Sequence, residues 1–490
     1  MVAFSRLLVS GFGDKTSETG LAPCLMTVVY FVNSNGKEIM MSLRHNSVRG
    51  VRVFGVSVGL LLVGSTLCFA SKMSLDESIA IALRSNPVVG IAQEDVRKAE
   101  AGVVDASAAG NPKLVLDAQY QRDERSPVVD FGESGISLGS RYSRMLDLSV
   151  VQPIDVFGAM RAVKRGARLG KACSQYDFER QIQETIFDVT SAFYNLHRAK
   201  AFLHVQEENS ALLEACLKDA QANLKAGTVA QFDVLRAQTE LANARGGVIE
   251  ARNALELAKA ALNDSIGVPL DNPVDPEEVP APDYVYPDPH ACSDAAMEFR
   301  PEVKSADFRV SICENAVKAA RLASKPKADV RLGYMYNFDP DAFIPKAGSL
   351  NLIFSTTVPF YDGGSGRAEV KKAESDLRKA LTVRDQTLRD VKLDVQQACL
   401  SLADSRERAK AAEKLVEEAQ ESKRLASVSY KGGVVTQLDV LTAQAGLVGA
   451  ETAHVNAVFD YEVALARLAR SVGGRERLPK VVEAVHKVDN

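Results

Sequence analysis

The segment GTVAQFDVLRAQ (Gly227–Gln238) returns 206 residues later as GVVTQLDVLTAQ (Gly433–Gln444). The same offset pairs Pro153 with Pro359, Arg161 with Arg367, and Leu262…Gly267 with Leu468…Gly473. Upstream the offset is 214: Asn86-Pro87 matches Arg300-Pro301, and Pro112-Lys113 matches Pro326-Lys327. The offset changes once, between Pro112 and Pro153, so a loop there is shorter in the second copy. The chain is one unit written twice, and that decides the fold before any single element is considered.

Each copy reads helix, two strands, very long helix, tight turn, long helix. In the first, Ser74…Glu77 is a capping box opening a helix that runs to about Ala109. A second helix is predicted from about Ala159 to Lys225, a rod of about 100 Å at 1.5 Å per residue. Ile182, Ile186, Val189, Phe193 and Leu196 step 4-3-4-3 along it, the period of a coiled-coil seam. The second copy offers Leu388, Val395, Cys399 and Leu402, with Lys392 as a polar break. The returning helices carry alanine at every other seam position: Ala237, Ala244, Ala251 and Ala258, then Ala443, Ala450, Ala457 and Ala464. Alanine there lets antiparallel backbones approach closely, beyond what helix propensity alone would explain.

Four segments alternate with period two. Leu114, Leu116, Ala118 and Tyr120 oppose Val115, Asp117, Gln119 and Gln121; Leu146, Leu148 and Val150 oppose Asp147 and Ser149. In the second copy Val330, Leu332, Tyr334, Tyr336 and Phe338 oppose Asp329, Arg331 and Asn337, and Leu350, Leu352, Phe354 and Val358 oppose Asn351, Ser355 and Thr357. About 9–11 residues with one apolar face is the pattern of a strand tilted across an outer membrane. Two hairpins of a soluble sheet would carry the same alternation. A lipid-exposed sheet cannot keep open edges, and closed barrels begin at about eight strands, so the membrane reading requires a homo-oligomer.

The 490 residues are 46% hydrophobic and 25% charged with a net charge of −4, which excludes wholesale disorder and gives no global sign of nucleic-acid binding. No proline falls between Pro153 and Pro269 or between Pro359 and Pro479, whereas seven crowd into Pro269–Pro289. Residues 41–70 read as a secretory signal: Arg44, Arg49 and Arg52, an apolar core over Val53–Leu67, and cleavage after Ala70. Residues 1–40 then read as a non-native extension, with translation starting at Met40 or Met41. Beyond the signal, Cys173, Cys216, Cys292, Cys313 and Cys399 are odd in number and include no CxxC, so neither a disulfide framework nor a zinc site is expected.

His197 and His204 lack further ligands and read as a surface pair. Gly363-Gly364-Ser365-Gly366 lacks the lysine-serine ending of a phosphate loop and reads as a strand-to-helix joint. No spacing suggests a nucleophile–His–carboxylate set, so no enzyme, cofactor or metal is expected.

With this duplication and these paired turns, the sequence resembles the TolC family of outer-membrane efflux and secretion channels over about residues 73–474. The motifs that carry the likeness are Gly227-Thr228…Phe232-Asp233-Val234-Leu235 and Tyr430-Lys431-Gly432-Gly433…Leu438-Asp439-Val440-Leu441. The resemblance implies an α+β membrane protein. Tandem-duplicated helical hairpins form an α-barrel through the periplasm, and four transmembrane strands per chain complete a 12-stranded β-barrel as a homotrimer. It implies passive export from an inner-membrane RND or ABC pump through a periplasmic adaptor (membrane fusion) protein, of drugs or of proteins.

It divides the chain into repeats over 71–268 (β-hairpin 113–155) and 292–474 (β-hairpin 328–359), a linker over 269–291 in an equatorial belt, and a tail over 475–490. It also implies a periplasmic gate in which Asp233 pairs with Tyr430 and Asp439 lines a constriction. Gly227, Thr228, Gly433 and Val434 would receive the adaptor. Two departures follow: Val435 stands where a gating arginine is usual, and Thr442 where a second constriction aspartate can occur. A Tyr–Asp bond is worth about 0.5–1.5 kcal/mol, which suits a lock that opens. Alternatively Asp233 and Asp439 serve only their helix N-termini. The competing reading of the whole chain is a secreted coiled-coil scaffold or adhesin.

Overall fold

The computed structural model describes residues 29–32, 38–41, 72–124, 128–130, 135–137, 141–278, 280, 284–285, 288–339 and 347–477. The expected extension and signal lie outside the described residues, apart from a separate small unit pairing β1 (Val29–Val32) with β2 (Glu38–Met41). The main unit begins at β3 (Lys72–Met73). It continues through α1 (Leu75–Ser85), α2 (Pro87–Ala108), β4 (Lys113–Arg122), β5 (Val128–Asp130), β6 (Gly135–Ser137), β7 (Tyr142–Ile154), α3 (Ala159–Lys225) and α4 (Gln231–Ile266). β8 (Asp275–Pro276), paired with β3, leads into α5 (Pro289–Phe299), α6 (Pro301–Ala323), β9 (Lys327–Asn337), β10 (Gly348–Thr357), α7 (Ser365–Lys431) and α8 (Gln437–Ser471).

The single helix expected from Ser74 to Ala109 is two helices. Proline pushes the preceding residue out of the α region, and Asn86 sits at φ −67°, ψ 123°. Its side-chain oxygen accepts from the Val88 amide at 2.8 Å, so Asn86 ends α1 and caps α2. Arg300-Pro301 breaks the second copy in the same way.

α3 and α7 are 67 residues each, about 100 Å long. α3 packs on α2 and α6 and on α4 and α8, and α7 packs on α6 and α8. The result is one layer, four helices wide. Arg198–Asp460 and Arg470–Glu184, both at 2.8 Å, tie α3 to α8 and so join the two copies. No helix of the described residues is long and apolar enough to cross a membrane.

The core lies where the short helices meet the long ones, and it is duplicated like the sequence. Ala82, Val189, Leu196 and Leu262 are buried in the first copy, and Ala296, Val395, Leu402 and Leu468 in the second. Every listed alanine of the returning helices is buried or half-buried. One seam position is corrected. At the expected polar break Lys392 is exposed, and Val391 takes the buried place at 4% exposure. A long helix at 3.6 residues per turn drifts against a strict seven-residue repeat, and the one-residue shift absorbs that drift.

The four long strands form one antiparallel sheet in the order β10-β9-β7-β4. The central cross-strand rows of one face are apolar, and those of the other are mixed and mostly polar. Leu116, Leu148, Tyr334 and Leu350 lie in one row and Leu114, Val150, Leu332 and Leu352 in the next, all on one face. Val115, Ser149, Gly333 and Asn351 lie on the other, as do Asp117 and Asp147, where Arg331 bonds Asp147 at 2.8 Å. Both edge strands are ten residues long.

If the seam runs through Val391, Val391→Ala costs about 2 kcal/mol of stability and Lys392→Ala less than about 0.5 kcal/mol, read by denaturant unfolding in detergent.

Candidate functional site

The two turns that opened the sequence reading share one backbone hydrogen-bond pattern. At the first, the Gly227 amide donates to the Leu224 carbonyl and the Thr228 amide to that of Asn223, both at 3.0 Å. At the second, Gly433 donates to Tyr430 at 3.0 Å and Val434 to Ser429 at 2.9 Å. This is the Schellman pattern, which closes a helix through one left-handed residue. Gly227 (φ +75°) and Gly433 (φ +73°) fill that place. A Cβ on either would meet nothing within 4 Å, so backbone conformation alone selects glycine there.

The helices that leave the turns begin with the two aspartates. The Asp233 carboxylate accepts from the Ala230 amide at 3.2 Å. The Asp439 carboxylate accepts from the Thr436 amide at 2.8 Å and the Thr436 hydroxyl at 2.7 Å, while the Asp439 amide donates back to that hydroxyl at 3.4 Å. The second turn thus carries a complete capping box; the first lacks one arm because alanine has no acceptor. The bonds with Thr436 hold the exposed Asp439 carboxyl below the usual range.

Asp233 and Tyr430 are half-buried, and among the described residues of one chain no hydrogen bond joins them. The capping role of both aspartates is therefore present in the single chain. The two hairpins stay together just above the turns, where Leu441 of α8 clusters with Leu213, Leu241 and Ala244. Gln444 also donates to Asn209 at 3.1 Å. Beside Val434, which the sequence reading had singled out, the turns expose apolar side chains that it passed over: Phe232, Leu235, Val428 and Leu438. The signal was available, because Phe232, Leu235 and Leu438 lie in the repeated motif yet off the heptad seams.

The residues set aside for other chemistry have structural explanations. His197 is buried, not a surface residue: it meets Phe193 edge-on and stacks on Phe459, and burial lowers its pKa. His204 instead faces Glu208 at 3.3 Å. The glycine-rich joint before α7 already holds an anion of its own, since Asp362 accepts from the Gly364 and Gly366 amides at 2.9 and 2.7 Å. Asp155 does the same before α3, accepting from Met160 and Arg161 at 3.2 and 3.0 Å.

A family model described as "Outer membrane efflux protein" matches residues 79–268 and 292–474. Protein CyaE of Bordetella pertussis is 25% identical over 395 residues, covering 78% of this chain and 80% of that protein. Outer membrane efflux protein BepC of Brucella suis is 22% identical over 425 residues, covering 85% and 90%. Among solved structures, the outer membrane protein VceC of Vibrio cholerae superposes with a TM-score of 0.71 at 18% identity, over 82% of this chain and 96% of that one. The CmeC outer membrane channel of Campylobacter jejuni gives 0.71 at 17% identity, over 84% and 88%. The structural likenesses establish the fold.

A carboxyl held below its unfolded value stabilises the fold at pH above that value, and the contribution is lost as pH falls through the folded one. Hydrogen exchange of the amides at the start of α8 should therefore accelerate as pH drops below about 4, after correction for intrinsic rates. Asp439→Asn should remove that pH dependence; an unchanged profile in the variant would refute the capping assignment.

Proposed function

Because the chain belongs to the outer membrane efflux protein family, and is thus an export channel of the outer membrane, we propose that three copies assemble into one continuous duct. The observation that carries this reading is the four-stranded sheet with an apolar face, a polar face and two unpaired edges. In hydrocarbon each unsatisfied backbone group costs several kcal/mol, so β4 of one chain must pair with β10 of the next. The antiparallel order makes that junction antiparallel too, and three chains close a barrel of twelve strands. The Leu114 and Leu116 rows then face lipid. Asp117, Asp147, Ser149, Arg331 and Asn351 line a wet lumen.

The helical layers continue the same wall below the sheet, and the two turns form its far end. In this reading Asp233 meets Tyr430 across neighbouring hairpins, and Asp439 lines an acidic ring there. With Val435 and Thr442 in place of charged groups, few bonds hold that end closed. The exposed Phe232, Leu235, Val434 and Leu438, beside Gly227, Thr228 and Gly433, form the surface that an adaptor protein would cover. An inner-membrane pump of the RND or ABC class would load the duct, which conducts drugs or proteins without chemistry or cofactor of its own. The repeats over 71–268 and 292–474, the linker over 269–291 and the tail over 475–490 are then the working divisions of the chain. A secreted scaffold has no need of lipid-length strands with uniform apolar rows.

Single cysteines along β10, combined with Val115→Cys on β4, should cross-link between chains in outer-membrane preparations and give a covalent trimer on denaturing gels. Dimers only, or no intermolecular product at any register, would overturn the assembly. In planar bilayers Asp439→Ala should weaken block by divalent cations; unchanged block would remove Asp439 from the constriction.

A further inference from the structure

Two cysteines that sequence spacing treats as unrelated share one site. Cys292 on α5 is fully buried and Cys399 on α7 is 7% exposed. Both belong to the apolar cluster with Ala296, Val395, Leu402 and Tyr461, where α5 packs against α7. They are more than 100 residues apart in the chain. The duplication provides an internal control. The equivalent positions of the first copy are Ser78 and Phe193, both buried, with no sulfur at either. The second copy therefore differs from the first at both members of the pair. The other cysteines are placed differently: Cys173 lies against Ser305, 3.4 Å from its hydroxyl, and Cys216 and Cys313 are half-buried on α3 and α6.

We propose that Cys292 and Cys399 are joined as a disulfide in the mature protein, a covalent staple between α5 and α7 at the level of the duplicated core. The inference rests on the outer-membrane reading, since that places α5 and α7 in the periplasm, where disulfides form and persist. Two cysteines buried in one cluster between helices that already pack together need only a local adjustment to bridge. Closing the bond breaks two S–H bonds and releases two protons and two electrons. The oxidant is the disulfide of a thiol–disulfide oxidoreductase. One cysteine thiolate attacks it and expels the first carrier thiol, and the second attacks the mixed disulfide and expels the other, leaving the carrier as a dithiol.

The exchange precedes docking of α5. In the folded chain both thiols are buried, out of reach of a carrier disulfide. The staple closes a loop containing α6, β9, β10 and the first half of α7. It fixes the short helix that follows the proline-rich linker while leaving the distant turns free to move.

The test uses the full chain from isolated outer membranes, denatured without reductant in excess N-ethylmaleimide, then reduced and treated with an isotopically heavy maleimide. Peptide mass spectrometry should find the first reagent on Cys173, Cys216 and Cys313, with a loss of it at Cys292 and Cys399, which take the heavy reagent only. In the Cys292→Ser chain, Cys399 should switch to the first reagent. The first reagent on both Cys292 and Cys399 in the unaltered chain, or on either one alone, overturns the staple. Fractionation of the same cells separates the two failures. Free thiols in a chain found in the outer membrane refute the staple alone, whereas a chain absent from that fraction refutes the compartment on which it stands.

Discussion

A sheet surrounded by hydrocarbon has no water to satisfy its edges, and this chain presents two such edges of ten residues each. Everything else in the molecule is arranged around that unmet requirement. β7 and β9, from different copies, pair with each other in the middle of the sheet, so β4 and β10 are left outermost and antiparallel. The helical layer has the same incompleteness in a milder form: Val88 and Ile91 on α2 are exposed in a groove formed with α3, and Val104 is exposed further along α2. The proposed closure of the layer on copies of itself would cover both deficits at once.

Packing is concentrated far from the turns. The largest fully buried side chains, Tyr461, Leu196, Leu262, Ile266 and Leu402 among them, lie where α1 and α5 press on the long helices. Near the turns the clusters thin to Leu441 with its three neighbours and to Ala220 with Val234 and Ala237. Fewer buried contacts mean lower local stability, and moving parts are drawn from such regions. A firm middle with lightly held ends is the mechanical form that the proposed gate would need.

Much of this was legible beforehand because duplication doubles every signal. The seam alanines, the paired glycine turns and the four alternating strands each occur in both copies, and agreement between copies removed most rival readings. The misreadings were local. The helix from Ser74 was carried through Pro87, although proline forces Asn86 into an extended conformation. Lys392 was placed on the seam because a strict seven-residue repeat was extended along a rod that drifts from it. His197 was read as a surface residue because the aromatic Phe459 that covers it comes from the other copy.

The sequence by itself determined the repeated unit, the lengths of the rods and strands, and which face of each is apolar. Those properties depend on residues close together along the chain, through period and turn chemistry. Only the tertiary structure decided that β7 pairs with β9, that Asp233 and Asp439 are bound to their own helix starts, and that Cys292 and Cys399 share one buried cluster. Each of these depends on groups brought together by packing between elements, which local pattern does not encode. The proline gap and cluster illustrate the division. They marked where the copies begin and end, while the helices on either side decided what touches what.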